Sequence, residues 1–269
     1  LVLREEVLLR ARRENRYGVL TRARSTEDLD CVLGMDVISD GAKTRRIRDA
    51  LTELGFVSVE SYWAFAKTID WHGAQQTIRI ELMAPDVTGP LAERVHRGSA
   101  LRIRAESYDQ LHARRNPAAI TVEQRLTALM IGGSANDTSV FIPHAASFLL
   151  MKVFAFRDRW VSEKEGDRER APYHAFDLFM LLATMDRGEW QEALGILGSE
   201  TAAAVVGEAG AIVRLYFGSA NSEGVLEMAA YARARMNVLV TVKYRSEFSA
   251  DLRELFGVSD GSSSSSTPS

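Results

Sequence analysis

The order of the secondary-structure patterns constrains the fold most, because strand-type patterns fill the first half of the chain and helix-type patterns fill the second. Strand-type segments are predicted over residues 28–33, 56–62, 65–71, 75–82, 125–131 and 139–142. Helix-compatible apolar spacing covers residues 145–160, 172–184, 190–197, 201–217 and 223–235. Strands followed by helices indicate an α+β fold, with a sheet domain over residues 1–143 and a helical domain over residues 144–258.

Shorter signals complete this prediction. Residues 7–13 and 44–54 have helical spacing, and Gly55 is placed to cap the second of these helices. The turn at residues 71–74 predicts a hairpin between two strands. Residues 238–244 suit either a strand or a helix end. Residues 259–269 form a tail for which disorder is predicted, because nearly all of its side chains are too small or polar to bury.

Composition excludes several classes of protein. The chain has 269 residues, of which 46% are hydrophobic, and its 33 basic and 36 acidic residues leave a net charge of −3. These values exclude a wholly disordered chain, and the single cysteine, Cys31, excludes a disulfide scaffold. No apolar run approaches the roughly 18–20 residues of a membrane span, so we expect no membrane partner and a reducing, cytoplasmic location.

Two aspartates, Asp28 and Asp30, are separated by one residue on a predicted strand. Residues two apart on a strand point to the same face, so both carboxylates would project together. Paired carboxylates bind hard cations such as Mg²⁺. Glu81, on another predicted strand, would be a third oxygen donor. The alternative is that this common sequence pattern only ends a turn and solvates a strand edge.

Two charged residues interrupt apolar helical segments. Lys152 lies within residues 148–156 and Asp177 within residues 176–182, both otherwise rich in large apolar side chains. A buried charge needs a partner, so a helical hairpin could join Lys152 to Asp177. One interpretation is a nucleotide site in which Lys152 contacts a phosphate and Asp177 orients it. The alternatives are a lysine whose stem covers apolar surface and a purely structural ion pair.

Basic residues are locally dense despite the negative net charge. One group precedes the aspartates (Arg10, Arg12, Arg13, Arg16, Arg22 and Arg24), and a second comprises Arg102, Arg104, Arg114 and Arg115. Such groups favour contact with a phosphate backbone, although a solvated charged surface is the more common outcome. We interpret Gly132-Gly133-Ser134 as a hairpin turn rather than a phosphate loop, and Cys31 as a packing residue.

Several of these motifs also occur in one order. Residues 24–30, Arg-Ser-Thr-Glu-Asp-Leu-Asp, resemble the Arg-x-Thr-x-Asp-[Leu/Ile]-Asp motif of the minimal nucleotidyltransferase superfamily. A helix ending in Leu54-Gly55-Phe56 follows, and then the carboxylate-bearing strand at residues 78–82. Residues 148–159 resemble a helix of that superfamily that carries a lysine. Residues 173–178 resemble the helix that follows it, which carries an aspartate. Together, residues 1–185 resemble the AbiEii-type nucleotidyltransferase toxins of abortive-infection systems.

The resemblance implies a fold and a chemistry. The fold would be a nucleotidyltransferase-like mixed sheet with flanking helices, followed by a helical domain that completes the active site. Metal ligands would be Asp28, Asp30 and Glu81, catalytic residues would be Asp28, Asp30, Lys152 and Asp177, and nucleotide-binding residues would be Arg24, Thr26 and Lys152. The enzyme would transfer a nucleoside monophosphate from an NTP to RNA, such as the 3′ end of tRNA, with Mg²⁺ as cofactor and a cognate antitoxin protein as partner.

The sequence departs from the family pattern at two places. Glu5-Glu6 stands where the family has a glycine-containing turn for the triphosphate, and His174 stands where an acidic residue is common. The first hypothesis is therefore a Mg²⁺-dependent nucleotidyltransferase toxin. A second hypothesis, favoured by Glu5-Glu6, is a catalytically impaired nucleotide- or RNA-binding module of the same fold. A third is nucleotide transfer onto a protein hydroxyl.

Overall fold

The computed structural model describes residues 28–60, 62–86, 89–97, 102–131 and 138–259. They fall into two compact units, with the boundary between Ser147 and Phe148. The predicted helix at residues 7–13, the residues Glu5-Glu6, Gly132-Gly133-Ser134 and nearly all of the predicted tail lie outside the described residues. The α+β fold class predicted from the sequence is confirmed: a mixed sheet dominates the first unit and helices form the second.

The first unit contains nine described strands and two helices. The strands are β1 (Asp28–Val32), β2 (Val57–Glu60), β3 (Ala64–Trp71), β4 (Ala74–Ala84), β5 (Val95–Arg97), β6 (Arg102–Ala105), β7 (His112–Arg115), β8 (Leu126–Ile131) and β9 (Thr138–Pro143). The helices are α1 (Met35–Ile38) and α2 (Gly41–Glu53), and short 3₁₀ segments lie at Gly89–Arg94 and Pro117–Thr121. The strands β5 to β7 were not predicted from the sequence.

Among the described strands, seven form one sheet in the order β2-β3-β4-β7-β6-β5, and β1 pairs with β4 beside this path. The β1–β4 and β4–β7 pairings are parallel, and the others in this sheet are antiparallel. The hydrophobic core lies on one face of the sheet, where Phe65, Leu82 and Ile103 pack with Ile38 and Leu51 of the two helices. The opposite face is therefore free to carry polar side chains.

Local chemistry explains where these elements begin and end. The carboxylate of Asp40 accepts hydrogen bonds from the backbone N–H groups of Ala42 (2.8 Å) and Lys43 (3.2 Å), which caps α2. The predicted β3–β4 hairpin is present, and His72 (φ 54°) and Gly73 (φ 81°) form its turn. The predicted pairing of the last two strands of this unit is also present, as the β8–β9 hairpin.

The second unit consists of helices. They are α3 (Ala145–Trp160, of which the first turn belongs to the first unit), α4 (Ala171–Ala183), α5 (Arg187–Leu197), α6 (Ala203–Phe217), α7 (Glu223–Arg235) and α8 (Val242–Leu255), with 3₁₀ segments at Arg168–Arg170 and Glu200–Ala202. Fully buried aromatic rings form the core: Phe217 contacts Phe156 (4.8 Å between centroids) and Phe248 (6.0 Å), and Phe248 contacts Phe179 (5.8 Å).

The prediction that residues 238–244 form a strand or a helix end was wrong for residues 238–241. Residues 238–241 form neither a strand nor a helix, and the following residues begin α8 at Val242. Among the described strands, none pairs with residues 238–240, whereas Phe248, Leu252 and Leu255 recur at helical spacing and are buried. Among the described residues, none of the single helices is long and apolar enough to cross a membrane, although Arg187–Leu197 and Glu200–Phe217 together meet that criterion across a 65° bend.

Candidate functional site

The parallel pairing of β1 with β4 places carboxylate residues side by side. Asp30 lies directly opposite Glu81, and Asp28 lies opposite Arg79. Neighbouring strands are about 4.8 Å apart, and paired residues project from the same face. Asp30 is exposed and Glu81 is half-buried. The structure thus brings together two of the three carboxylate residues predicted as metal ligands, and it places the backbone of the third, Asp28, in the adjoining register position.

The apolar residues of β1 explain why Asp30 faces outward. Leu29 and Cys31 lie opposite Ile80 and Leu82, whose side of the sheet packs on the core. Strand alternation then turns Asp30 to the opposite face. Burial raises the pKa of the Cys31 thiol, and the negative charge of Asp30 raises it further. The thiol is therefore protonated at neutral pH, which agrees with its interpretation as a packing residue rather than a nucleophile.

Arg79, which the sequence analysis did not single out, is bound to two carboxylates. Its Nε donates to Oε1 of Glu81 (2.9 Å), and its Nη2 donates to Oε1 of Glu60 (2.7 Å). The hydrogen bond to Glu60 is the main cause that raises the pKa of Arg79. By contrast, Asp30 makes no ion pair with any described residue. The sequence spacing could have predicted the Arg79–Glu81 ion pair, because residues 79 and 81 share a face of the strand.

The donor chemistry of this surface fits a hard cation. Carboxylate oxygens are the ligands that Mg²⁺ prefers, and Asp30 and Glu81 supply them from adjacent strands. Within the described parts of the chain, no three histidine, cysteine, aspartate or glutamate side chains are close enough to hold a metal ion. The three-carboxylate metal site therefore stays a prediction. Arg24 and Thr26, predicted to bind the nucleotide, lie outside the described residues.

The predicted pairing of Lys152 with Asp177 is present in the second unit. Nζ of Lys152 lies 2.8 Å from Oδ2 of Asp177, which connects α3 to α4. The Asp177 side chain is 1% exposed and that of Lys152 is 20% exposed. The carboxylate is thus buried, while part of the Lys152 side chain reaches solvent. This geometry suits a structural ion pair and also a lysine that is held in place to contact an anion.

A second group of charged residues lies on the same sheet face as Asp30 and Glu81. In the antiparallel β6–β7 pair, Arg102 lies opposite Arg114 and Arg104 lies opposite His112. Arg114 also lies opposite Met83, two residues after Glu81 on β4, and its Nη2 is 3.4 Å from the Met83 sulfur. We call Arg102, Arg104, His112 and Arg114 the basic strip.

The structure separates Arg115 from the other three arginines of its predicted group. Arg115 points to the opposite face from Arg114 because successive strand residues alternate. It binds Asp86 through two guanidinium nitrogens, Nε and Nη2, with 2.6 Å from Nη2 to Oδ2, and this hydrogen bonding raises its pKa. The four-arginine cluster predicted from the sequence is therefore three arginines on one face and one neutralised arginine on the other.

One sheet face thus carries oxygen donors for a cation beside guanidinium donors for an anion. This combination suits a ligand that contains phosphate, because phosphate oxygens bind both metal ions and arginine. Comparison of the chain with family models, with curated proteins and with solved structures found no match.

Proposed function

We propose that this protein is a Mg²⁺-dependent nucleotidyltransferase that transfers a nucleoside monophosphate from an NTP to RNA. The acceptor that we propose is the 3′ end of tRNA, and the biological role is that of the toxin in a cytoplasmic toxin–antitoxin system with a cognate antitoxin protein. The observation that carries the proposal is the register of β1 and β4, in which Asp30 of the Asp-x-Asp sequence adjoins Glu81. The motif order described above supports the same assignment.

In the proposed reaction, the 3′ hydroxyl oxygen of the acceptor attacks the α-phosphorus of the NTP, forming a phosphodiester bond and releasing pyrophosphate. Asp28, Asp30 and Glu81 would hold Mg²⁺. When bound, this ion neutralises charge that develops on the phosphate oxygens. Arg79 keeps the side chain of Glu81 in a defined position through the 2.9 Å hydrogen bond. Asp30 is solvent-exposed and can therefore meet a ligand that arrives from solution.

Lys152 and Asp177 have separate roles in this proposal. Within the helical unit, the role proposed for the ammonium group of Lys152 is to donate a hydrogen bond to a phosphate oxygen. Asp177 is a positioning residue, because its buried carboxylate accepts from Nζ of Lys152 at 2.8 Å. An ammonium group has three N–H donors, so the ion pair leaves donors for a phosphate.

A binding module without catalysis is the second candidate. Glu5-Glu6 favours it, because two carboxylates where a glycine turn is expected would repel a triphosphate. The ion pair between Arg79 and Glu81 favours it also, since this carboxylate already has a partner. Nucleotide transfer onto a protein hydroxyl would use the same residues as transfer onto RNA.

Incubation with labelled nucleotides separates these candidates. The purified protein would be mixed with Mg²⁺, total cellular RNA, a protein extract and each α-³²P-labelled NTP in turn. We expect label in a band of tRNA size. Asp28→Asn and Asp30→Asn should abolish labelling, whereas Asp49→Asn, an equal charge change on an exposed position of α2, should not. Full activity in Asp30→Asn would refute the assignment.

The other outcomes are equally specific. Label on a protein band would change the acceptor to a hydroxyl side chain. Absence of label with all four NTPs, for a folded sample beside an active control enzyme, would favour the binding module. Nucleotide binding measured with and without Mg²⁺ then tests whether the carboxylates still bind the ion.

A further inference from the structure

The arginines of the basic strip have no acidic partners among the residues that the structure describes. Within the described part of the chain, neither Arg102, Arg104 nor Arg114 forms an ion pair with a carboxylate. Arg79, Arg115 and other arginines of this protein do form such pairs. The hydrogen bonds of the strip arginines go to the backbone oxygen of Ala105 and to the sulfur of Met83. All three side chains are half-buried, so solvent screens their charges only in part.

The arrangement of these charges opposes folding. Arg102 and Arg114 occupy directly opposite positions, and like charges at such positions repel each other. The same positive charges act on His112. Burial is the largest cause that lowers the pKa of His112, and the charges of Arg104 and Arg102 lower it further. The Nδ1 atom of His112 is buried without a described hydrogen-bond partner. A bound anion would relieve this repulsion, and groups that oppose folding without compensation are typical of binding sites.

Aromatic side chains adjoin the basic strip. The guanidinium carbon of Arg114 lies 5.7 Å from the ring centroid of Trp63, and the ring of Tyr62 contacts that of His112 edge-on at 5.7 Å. The Tyr62 side chain is 41% exposed. Arginines beside accessible aromatic rings are typical of single-stranded nucleic acid sites, where phosphates contact the guanidinium groups and bases stack on the rings. A protein with a net charge of −3 would bind such a strand only through a local surface.

We propose that the basic strip, together with Tyr62 and Trp63, binds the backbone and bases of single-stranded RNA. The choice of RNA rests on the proposed function, whereas binding of a single strand rests on the strip itself. Because β7 adjoins β4, the strand would lie on the same sheet face as Asp30 and Glu81. This placement would bring the acceptor RNA beside the carboxylate residues.

The test is fluorescence anisotropy with a labelled 12-nucleotide single-stranded RNA of mixed sequence, at 50 mM salt without NTP or Mg²⁺. We expect Arg102→Gln/Arg114→Gln to lower affinity by about tenfold or more, because each arginine neutralises a phosphate. Arg46→Gln, an exposed arginine of α2, is the matched control and should leave affinity within about twofold. Arg102→Lys/Arg114→Lys should recover most of the binding, because phosphate contacts depend mainly on charge.

The results that would overturn RNA binding by the basic strip differ from those that would refute nucleotide transfer. Unchanged RNA affinity in the folded double glutamine variant would overturn the role of the strip, even if nucleotide transfer were observed. Equal affinity for duplex RNA or heparin would overturn the assignment to a single strand. Strip-dependent RNA binding in a protein that labels no acceptor would support this inference while refuting the proposed function.

Discussion

Among single residues, the charged side chains of this protein differ in whether the fold supplies an opposite charge. Asp177 is buried and binds Lys152, and Glu81 binds Arg79. Asp30, on the surface of β1, has no described ionic partner, and the arginines of the basic strip have none either. A buried charge needs a partner within the fold, whereas unpaired charges that cluster at a surface are available to a ligand. The ion pair and the exposed site therefore require different tests.

The Lys152–Asp177 pair can be tested by a double-mutant cycle. Lys152→Met leaves the Asp177 carboxylate buried without its cation, and should lower the free energy of unfolding by about 3–5 kcal/mol. Lys152→Met/Asp177→Leu should recover much of this loss, because two apolar groups replace the pair. Urea denaturation measures both effects. Under the proposed function, the double variant is stable but transfers no nucleotide. Normal transfer by this variant would show that the pair is only structural.

The pKa of His112 predicts a dependence of stability on pH. Since burial lowers the pKa in the folded state, the unfolded chain binds the proton more tightly. The contribution of His112 is complete above its unfolded pKa of about 6.5 and is lost as pH falls toward the lower, folded pKa.

Urea denaturation between pH 7.5 and 5 measures this effect. His112→Asn should reduce the slope of stability with pH. Identical slopes in His112→Asn and the wild-type protein would contradict the prediction.

At the level of secondary-structure elements, close helix packing depends on particular small residues. Gly224, at the start of α7, lies against the end of α6: a Cβ atom there would be 2.6 Å from the ring of Phe217 and 2.8 Å from the backbone oxygen of Tyr216. Gly207, in α6, has no atom within 4 Å of the equivalent position. Two helical glycines of this unit therefore have opposite roles.

Alanine substitution distinguishes the two glycines. Gly224→Ala should destabilise the protein by about 1–3 kcal/mol, because a methyl group at this position overlaps backbone and ring atoms. Gly207→Ala should stabilise it by about 0.5–1 kcal/mol, since alanine has the higher helix propensity. Thermal or urea unfolding gives both values. A stabilising effect at Gly224 would show that α7 does not pack against α6 as closely as described.

Long helices were predicted more often than short strands, although the sequence analysis missed α8 (Val242–Leu255). The spans predicted at 145–160 and 223–235 match α3 and α7, because more than three turns of apolar spacing repeat within each. Strands β5 to β7 have three or four residues each, and β6 and β7 are rich in arginine. Such short segments contain too few alternations for a pattern, and their pairing partners form them. The sequence analysis consequently found a cluster of arginines but did not predict that three of them share one face of the sheet.

Across the whole molecule, charge is distributed unevenly. The net charge is −3, yet one sheet face carries three arginines that pair with no carboxylate of the described residues. Long-range attraction of a polyanion is therefore weak, and binding depends on contacts at the strip. Such contacts release counterions from the nucleic acid, so their number can be obtained from the salt dependence of affinity.

A small number of phosphate contacts predicts a shallow dependence of RNA affinity on salt concentration. Three phosphate contacts predict that the logarithm of the association constant for single-stranded RNA falls with the logarithm of salt concentration with a slope of about −2. Between 50 and 200 mM salt, affinity should thus fall by about 15-fold. Anisotropy at four NaCl concentrations gives the slope, and Arg102→Gln/Arg114→Gln should reduce its magnitude by about 1 to 2. A slope near zero would exclude phosphate contacts.

Local sequence was sufficient for the fold class, most of the longer elements and the two charge features at Asp28-x-Asp30 and Lys152. These depend on periodicity and on charges within apolar segments, which neighbouring residues reveal. The register that pairs Asp30 with Glu81, the binding of Glu81 by Arg79 and the assembly of the basic strip came from the tertiary structure. Strand register is set by the burial of residues distant in sequence, such as Phe65, Leu82 and Ile103 on the core face. The same burial places the charged residues of those strands together on the opposite face.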